Sequence, residues 1–151
     1  MKINQFVFNP FGVNAYVLSN SNGKTILIDP SASNAREQAA LSEYIKSENL
    51  KVCRNLNTHL HLDHVLGNAF VERTFGIKAE ANKDDTFLLE AQKEQSQLFG
   101  LPCNDLAPAL GNYLNDGDII EITEIRLQVI HVAGHSPGGL ARSEERRVGK
   151  E

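Results

Sequence analysis

Residues 58–67 have the sequence THLHLDHVLG, which gathers three of the chain's five histidines and an aspartate within a few positions. In an extended segment alternate side chains share a face, so His59, His61 and Asp63 can point one way while the leucines between them enter apolar packing. Without a cation, those of the crowded histidines that became protonated would repel one another. Zinc binds imidazole nitrogen and carboxylate oxygen. The segment therefore predicts a metal site.

The other two histidines, His131 and His135, form a second cluster much later in the chain. The glycines and the proline around His135 predict a tight loop at the end of a strand, with close backbone approach. A catalytic zinc site has three protein ligands and leaves one position open for water. His59, His61 and His135 would fit such a site, whereas we expect His131 to be an ordinary histidine.

The neighbouring pair Asp63 and His64 points to a second ion. If His59 and His61 already bind one metal, this pair cannot join it without strain. It could instead begin an adjacent site, as in two-metal hydrolases. The histidine pattern therefore implies two metal ions.

The composition bounds the partners of the chain. Its 151 residues, 41% hydrophobic and 23% charged, fit one globular domain. No apolar stretch approaches the roughly 20 residues that span a bilayer, and the N-terminus lacks a secretory signal, so we expect a cytoplasmic protein. The net charge of −4 disfavours a nuclease. We expect a small-molecule partner, no nucleic acid and no membrane, with Cys53 and Cys103 as free thiols.

The spacing of apolar residues predicts strands that alternate with helices, which is typical of an α/β domain. Predicted strands cover residues 3–8, 13–18, 25–28, 52–57, 77–79, 119–122 and 127–132. Three helices are predicted: one from Asn34 with a capping-box pattern to Glu37, one from residue 69 to Gly76, and one over residues 82–99. Residues 101–115 are expected to be mostly loop.

Both histidine clusters resemble the signatures of one family. Residues 59–67 match the pattern His-x-His-x-Asp-His-x-x-Gly of the metallo-β-lactamase superfamily, and residues 134–138 are similar to its later Gly-His-[Ser/Thr]-Pro-Gly loop. Residues 14–18 and 27–30 resemble its first strands and its Asp-Pro turn. The resemblance covers residues 3–140 and implies the αββα sandwich of this family, of class α/β.

The resemblance also implies the roles of the site residues. His59, His61 and His135 correspond to the ligands of the first metal, and Asp63 and His64 to ligands of the second. In the family two zinc ions are usual, with iron or manganese possible, and a metal-bound hydroxide attacks a carbonyl carbon. Asp63 would be the catalytic residue that helps to orient this nucleophile.

The chain departs from the family pattern at three places. Ser31 stands where glycine is common, and Ala133 stands where proline often precedes Gly134. After residue 140 no position supplies the bridging aspartate or the last histidine of the second metal. We therefore expect a C-terminally truncated sandwich with an incomplete second site.

The segment 9–16, with the sequence NPFGVNAY, resembles small bacterial members of the glyoxalase II type. This resemblance implies a metal-dependent hydrolase of thiolesters such as S-lactoylglutathione, similar to hydroxyacylglutathione hydrolase. Two alternatives of the same fold stay open, a persulfide dioxygenase and a lactonase. A third is an inactive fragment that binds at most one metal ion, and we expect little activity from the chain as written.

The last ten residues, RSEERRVGKE, differ in composition from the rest. They contain four basic and three acidic residues, against eleven and sixteen in the remainder. A solvated charged tail is one interpretation. The string also resembles a translated sequencing adapter, so we expect residues 1–141 to form an incomplete metallo-β-lactamase domain and residues 142–151 to be a non-native tail.

Overall fold

Nine strands and five α-helices make up the part of the chain that the computed structural model describes, namely residues 1–103, 105–132 and 136–144. The strands are β1 Lys2–Phe8, β2 Val13–Ser19, β3 Lys24–Ile28, β4 Lys51–Leu56, β5 Ala79–Ala81, β6 Asn112–Tyr113, β7 Ile119–Ile122, β8 Ile125–His131 and β9 Leu140–Glu144. The helices are α1 Ala35–Ser47, α2 Leu62–Val65, α3 Asn68–Phe75, α4 Thr86–Glu90 and α5 Gln92–Phe99, with a 3-10 helix at Lys83–Asp85.

The strands form two sheets. The first has the order β1-β2-β3-β4-β5-β6, in which β1 to β3 are antiparallel and β3 to β6 are parallel. Parallel neighbours need a crossover connection, and α1 supplies the one between β3 and β4. The carboxyl ends of β3, β4 and β5 consequently lie at the same edge of the sheet. The second sheet is antiparallel, with the order β7-β8-β9.

Two apolar layers hold the sheets and helices together. One face of the first sheet packs on α1 and α3, where Leu27 of β3 meets Leu41 and Ile45. The opposite face packs on the second sheet, where Ile26 of β3 meets Leu127 of β8. Because successive side chains of a strand point to opposite faces, the continuous apolar run of β3 is buried on both sides. The predicted α/β sandwich is confirmed for a helix layer and two sheet layers.

Most predicted elements are present, and the differences have local causes. The side chain of Asn34 caps α1 by accepting a hydrogen bond from the Glu37 amide at 2.9 Å. In place of the helix predicted over residues 82–99 the structure has the 3-10 helix Lys83–Asp85 followed by α4 and α5, and the chain leaves helical geometry at Ala91 between α4 and α5. Gln92 and Gln95, which follow this break, are buried and bind backbone groups instead of facing solvent.

Strand β9 extends beyond the predicted domain boundary at residue 141. Its backbone pairs with β8 as far as Glu144, which lies opposite Leu127. Residues 145–151 lie outside the described part of the chain. The assignment of residues 142–151 to a non-native tail stays a prediction. None of the helices described above is long and apolar enough to cross a bilayer.

Candidate metal centre

The histidine segment lies at the sheet edge where three parallel strands end. Asp29 follows β3, residues 57–61 follow β4, and Asn82 follows β5. In open α/β sheets this edge is where ligands bind. Leu60 and Leu62 are fully buried and pack with Val65 and Leu88, as the sequence predicted for the leucines between the histidines.

Asp29 is the hydrogen-bonding centre of this edge. Its carboxylate is buried and accepts hydrogen bonds from the Thr58 amide at 2.8 Å on Oδ1 and from the Thr58 hydroxyl at 2.6 Å on Oδ2. Its Oδ2 also lies 3.0 Å from Nδ1 of His64. The backbone of Asp29 has a φ of 49°, in the left-handed region that aspartate tolerates better than most residues. The Asp-Pro turn therefore carries a positioning carboxylate.

The same hydrogen bonds assign the tautomers of two histidines. An ionised carboxylate only accepts, so Nδ1 of His64 is the protonated ring nitrogen. The single hydroxyl hydrogen of Thr58 is donated to Asp29, so its Oγ1 can only accept from Nδ1 of His59, at 3.1 Å. Both rings therefore present Nε2 as the nitrogen with a lone pair. A ligand histidine whose other nitrogen is held by an oxygen is the usual arrangement around protein-bound metals.

The surroundings of His64 also change its acidity. Burial lowers the pKa of His64, but the hydrogen bond to Asp29 and the charges of Asp29 and Asp63 outweigh that effect and raise the pKa above its ordinary value. In the metal-free chain His64 therefore keeps its second proton up to a higher pH than an ordinary histidine does. A metal ion would take the place of this proton, since only a neutral imidazole can bind one.

The structure brings four of the predicted ligands into one compact group. The ring centroids of His59 and His61 are 5.1 Å apart, and those of His59 and His64 are 3.9 Å apart. An oxygen of Asp63 lies 3.7 Å from Nε2 of His64. Only His59 and His61 follow the predicted extended pattern, because α2 begins at Leu62 and places Asp63 in the first turn of a helix.

The donor chemistry of this group fits a divalent metal ion. Imidazole nitrogens and a carboxylate oxygen suit zinc, and they also suit iron or manganese. Among residues 1–103, 105–132 and 136–144, no three His, Cys, Asp or Glu side chains are placed so that they could hold a metal ion together. His135, the predicted third ligand of the first metal, lies outside the described residues. The ligand assignments to His59, His61, Asp63, His64 and His135 stay predictions.

His131 is separate from this group in its contacts. Its side chain is exposed, and its Nε2 lies 2.6 Å from the carbonyl oxygen of Pro137. Its amide donates to the Asp116 carboxylate at 2.8 Å. These contacts agree with its predicted role as an ordinary histidine.

Several polar residues that support the histidine segment were not predicted from the sequence. The Asn9 side chain, in the turn between β1 and β2, donates to the carbonyl oxygen of Asp63 at 2.8 Å. Buried Asn68 donates to Asn57 at 2.8 Å, and Asn57 donates to the carbonyl oxygen of His64 at 3.2 Å. A sequence signal existed for Asn57, since a polar residue directly after a buried parallel strand is typical of a site.

Known proteins are similar in sequence to this chain. The metallo-beta-lactamase superfamily matches residues 8–146. Hydroxyacylglutathione hydrolase GloC of Haemophilus influenzae is 30% identical over 148 residues, which cover 97% of this chain and 68% of that protein. An uncharacterized protein of Aquifex aeolicus is also 30% identical, over 91% of this chain and 63% of its own length. The chain thus spans about two thirds of the length of these relatives.

Two solved structures superpose on most of this chain. The B3 metallo-beta-lactamase BLEG-1 superposes with a TM-score of 0.83 at 28% identity, over 96% of this chain and 68% of that one. The protein TTHA1623, solved in a di-iron-bound form, gives a TM-score of 0.78 at 26% identity, over 95% of this chain and 67% of that one. With the family match over most of its length, the chain belongs to the metallo-beta-lactamase superfamily.

Proposed function

We propose that this chain carries the metal-binding part of a metal-dependent hydrolase that acts on thiolesters such as S-lactoylglutathione. The observation that carries the proposal concerns two neighbouring histidines. Nδ1 of His59 is hydrogen-bonded to the Thr58 hydroxyl oxygen, and Nδ1 of His64 is hydrogen-bonded to the Asp29 carboxylate. Relatives that bear the name hydroxyacylglutathione hydrolase support the substrate class.

The ligands divide between two ions in this proposal. His59, His61 and His135 would hold the first, and Asp63 and His64 would contribute to the second. Zinc is the ion we propose, and iron is the alternative in view of the di-iron relative. When bound, the ions would lower the pKa of water and polarise the thiolester carbonyl.

The residues of this chain orient the ligands and prepare them for binding. Asp29 keeps the proton of His64 on Nδ1, which leaves Nε2 available. The Thr58 hydroxyl oxygen holds Nδ1 of His59 in a similar way. The carboxylate of Asp63 is partly exposed, with 18% of its side chain accessible, so it can accept a hydrogen bond from a water at the site. The site therefore needs no serine or cysteine nucleophile.

The natural extent of the reading frame decides how this proposal is tested. We would read the source DNA past the codon of Ala141 and express the frame that it encodes. A frame that continues through a later aspartate and histidine would supply the remaining ligands of the second metal. A frame that ends with Glu151 would overturn the hydrolase proposal for this protein and favour a domain that binds at most one ion.

The reaction itself is tested on the encoded protein after loading with zinc. We expect the protein to hydrolyse S-lactoylglutathione, which is measured by the release of free thiol. We expect His59→Ala to abolish this activity. Oxygen consumption with a glutathione persulfide by an iron-loaded protein would establish a dioxygenase instead. Lactone hydrolysis without thiolester hydrolysis would establish a lactonase. Either result would overturn the proposed substrate class.

A further inference from the structure

A buried carboxylate outside the histidine segment contacts both predicted ligand-bearing segments. Asp85 is the last residue of the 3-10 helix Lys83–Asp85, and its side chain is fully buried. A buried carboxylate is costly unless hydrogen bonds compensate for the lost water. The two oxygens of Asp85 accept three such bonds, from the Leu60 amide at 3.1 Å, the Ser136 hydroxyl at 2.8 Å and the Gly138 amide at 2.6 Å.

These donors come from distant parts of the sequence. Leu60 lies between His59 and His61, and Ser136 directly follows His135. Asp85 is 25 positions from Leu60 and 51 from Ser136. One carboxylate thus joins the segment that holds the first two predicted ligands to the loop that follows the third.

The glycine at position 138 is explained by this contact. A Cβ atom at Gly138 would lie 2.8 Å from both Cγ and Oδ1 of Asp85, closer than real Cβ atoms approach such neighbours. Only glycine therefore lets the amide at this position reach the carboxylate. The loop backbone at Gly138 is therefore in direct contact with the Asp85 carboxylate.

A backbone contact reinforces the same junction from the other side of His59. The amide of Leu140 donates to the carbonyl oxygen of Thr58 at 2.8 Å. His59 therefore lies between two anchored residues, Thr58 and Leu60. The side-chain anchor is Asp85, and it is the contact that a substitution can remove.

We propose that Asp85 is a positioning residue of the metal centre. It holds residues 59–61 against the loop at residues 136–138, so that His59, His61 and the predicted ligand that precedes Ser136 in the sequence can bind one ion. In this proposal Asp85 is not a ligand, and it acts through the three donors to which its oxygens are hydrogen-bonded. The inference rests on the proposed function for the assignment of His59, His61 and His135 as ligands.

The test compares Asp85→Asn with Asp84→Asn in the full chain. Asp84 is the exposed neighbour, so its substitution makes the same change of charge without touching the junction. Zinc affinity is measured by competition with a chromophoric chelator, and the visible absorption spectrum of the cobalt-substituted protein reports the ligand geometry. We expect the zinc Kd of Asp85→Asn to rise about 10–100-fold with a changed cobalt spectrum, and that of Asp84→Asn to stay unchanged.

A purely structural role predicts a different result. In that case Asp85→Asn would unfold at a lower temperature, while its folded form would keep the wild-type zinc Kd and cobalt spectrum, and the inference would be overturned. If Asp85→Asn does not fold, Ser136→Ala replaces it, since this variant loses one of the three hydrogen bonds and keeps the carboxylate. We expect it to raise the zinc Kd several-fold, and an unchanged Kd would again overturn the inference.

Failure of the proposed function gives a separate outcome. A wild-type chain that binds no zinc would overturn the proposed function, and this inference with it. A wild-type chain that binds zinc, beside an Asp85→Asn variant that binds it equally well, would overturn the positioning role alone.

Discussion

Oδ2 of Asp29 accepts a hydrogen bond from Nδ1 of His64 at 3.0 Å, although the two residues are 35 positions apart in the sequence. The parallel pairing of β3 and β4 brings them together, because both strands end at the same edge of the sheet. This pair fixes which nitrogen of His64 faces the predicted metal. A substitution of Asp29 therefore tests this contact most directly.

Asp29→Asn should weaken metal binding without removing a ligand. The amide keeps the shape of the side chain but cannot accept every hydrogen bond from Thr58 and His64, so the ring loses its fixed tautomer. We expect the zinc Kd to rise about 10–100-fold. Chelator competition measures this rise, and Glu43→Gln on the exposed face of α1 is the control. An equal Kd in wild type and Asp29→Asn would contradict the role given to this carboxylate.

His59→Ala should abolish metal uptake at the first site, because it deletes a proposed ligand and not a supporting residue. His131→Ala is the matched control, since it removes an exposed histidine whose contacts are with Pro137 and Asp116. We expect the control to retain the wild-type metal content. Metal analysis of the purified proteins measures both, and wild-type stoichiometry in His59→Ala would show that the ligand assignment is wrong.

Ile26→Ala should strongly destabilise the fold. Ile26 is fully buried between the two sheets, so its truncation leaves a cavity and should cost about 2–5 kcal/mol in the free energy of unfolding. Ile3 on β1 is 50% exposed, and Ile3→Ala should cost only about 0.5 kcal/mol. Urea unfolding of the metal-free proteins gives both values. Similar losses in the two variants would contradict the packing of the sheets described above.

Arg54→Met should destabilise the chain more than Lys2→Met does. Arg54 forms two hydrogen bonds to Glu80, at 2.6 and 2.7 Å, and Glu80 is only 7% exposed. Without the guanidinium a nearly buried carboxylate loses its charge partner, and we expect a loss of about 1–3 kcal/mol because Arg54 is itself partly solvated. The exposed pair of Lys2 with Glu48 should give no measurable loss. Urea unfolding would contradict this ranking if both variants lost equally.

Cys103 should react slowly with alkylating reagents while the chain is folded. Burial raises the pKa of the Cys103 thiol. A hydrogen bond with the Asp105 backbone lowers it by less, and the negative charge of the Asp105 side chain raises it further. A raised pKa lowers the thiolate fraction at neutral pH, and the thiolate is the reactive form. The rate of reaction with iodoacetamide is measured against pH on Cys53→Ser, in which Cys103 is the remaining thiol. We expect a lower rate and a higher midpoint than in urea, and coincident curves would contradict the burial effect.

The sequence predicted the histidine segment and seven of the nine described strands, all but β6 and β9, because these features are encoded locally. Alternating or continuous apolar runs identify β2, β3 and β8, and the cluster of histidines identifies the candidate ligands without any knowledge of the fold. The capping of α1 by Asn34 was also predicted, since its partner is only three positions away. Local patterns were sufficient in each of these cases.

The supporting residues could not be predicted in the same way. Asp85 lies in the run Asn-Lys-Asp-Asp, which is typical of an exposed turn, and its partners are far away in the sequence. The break at Ala91 arises because Gln92 and Gln95 bind backbone carbonyls from the buried side, which no helical periodicity reveals. Helix α2 begins at Leu62, whose side chain packs in a buried cluster. Asp63 therefore lies in a helical turn and not in the extended segment that the sequence predicted.

The junction at Asp85 also determines when during folding the centre can exist. Its contacts join positions up to 53 residues apart, and domains rich in such non-local contacts fold more slowly than domains held together by local ones. The two segments that carry the predicted ligands of the first ion therefore come together only after the parallel strands have paired. We therefore expect the complete site of the first ion to form late in folding, after these long-range contacts.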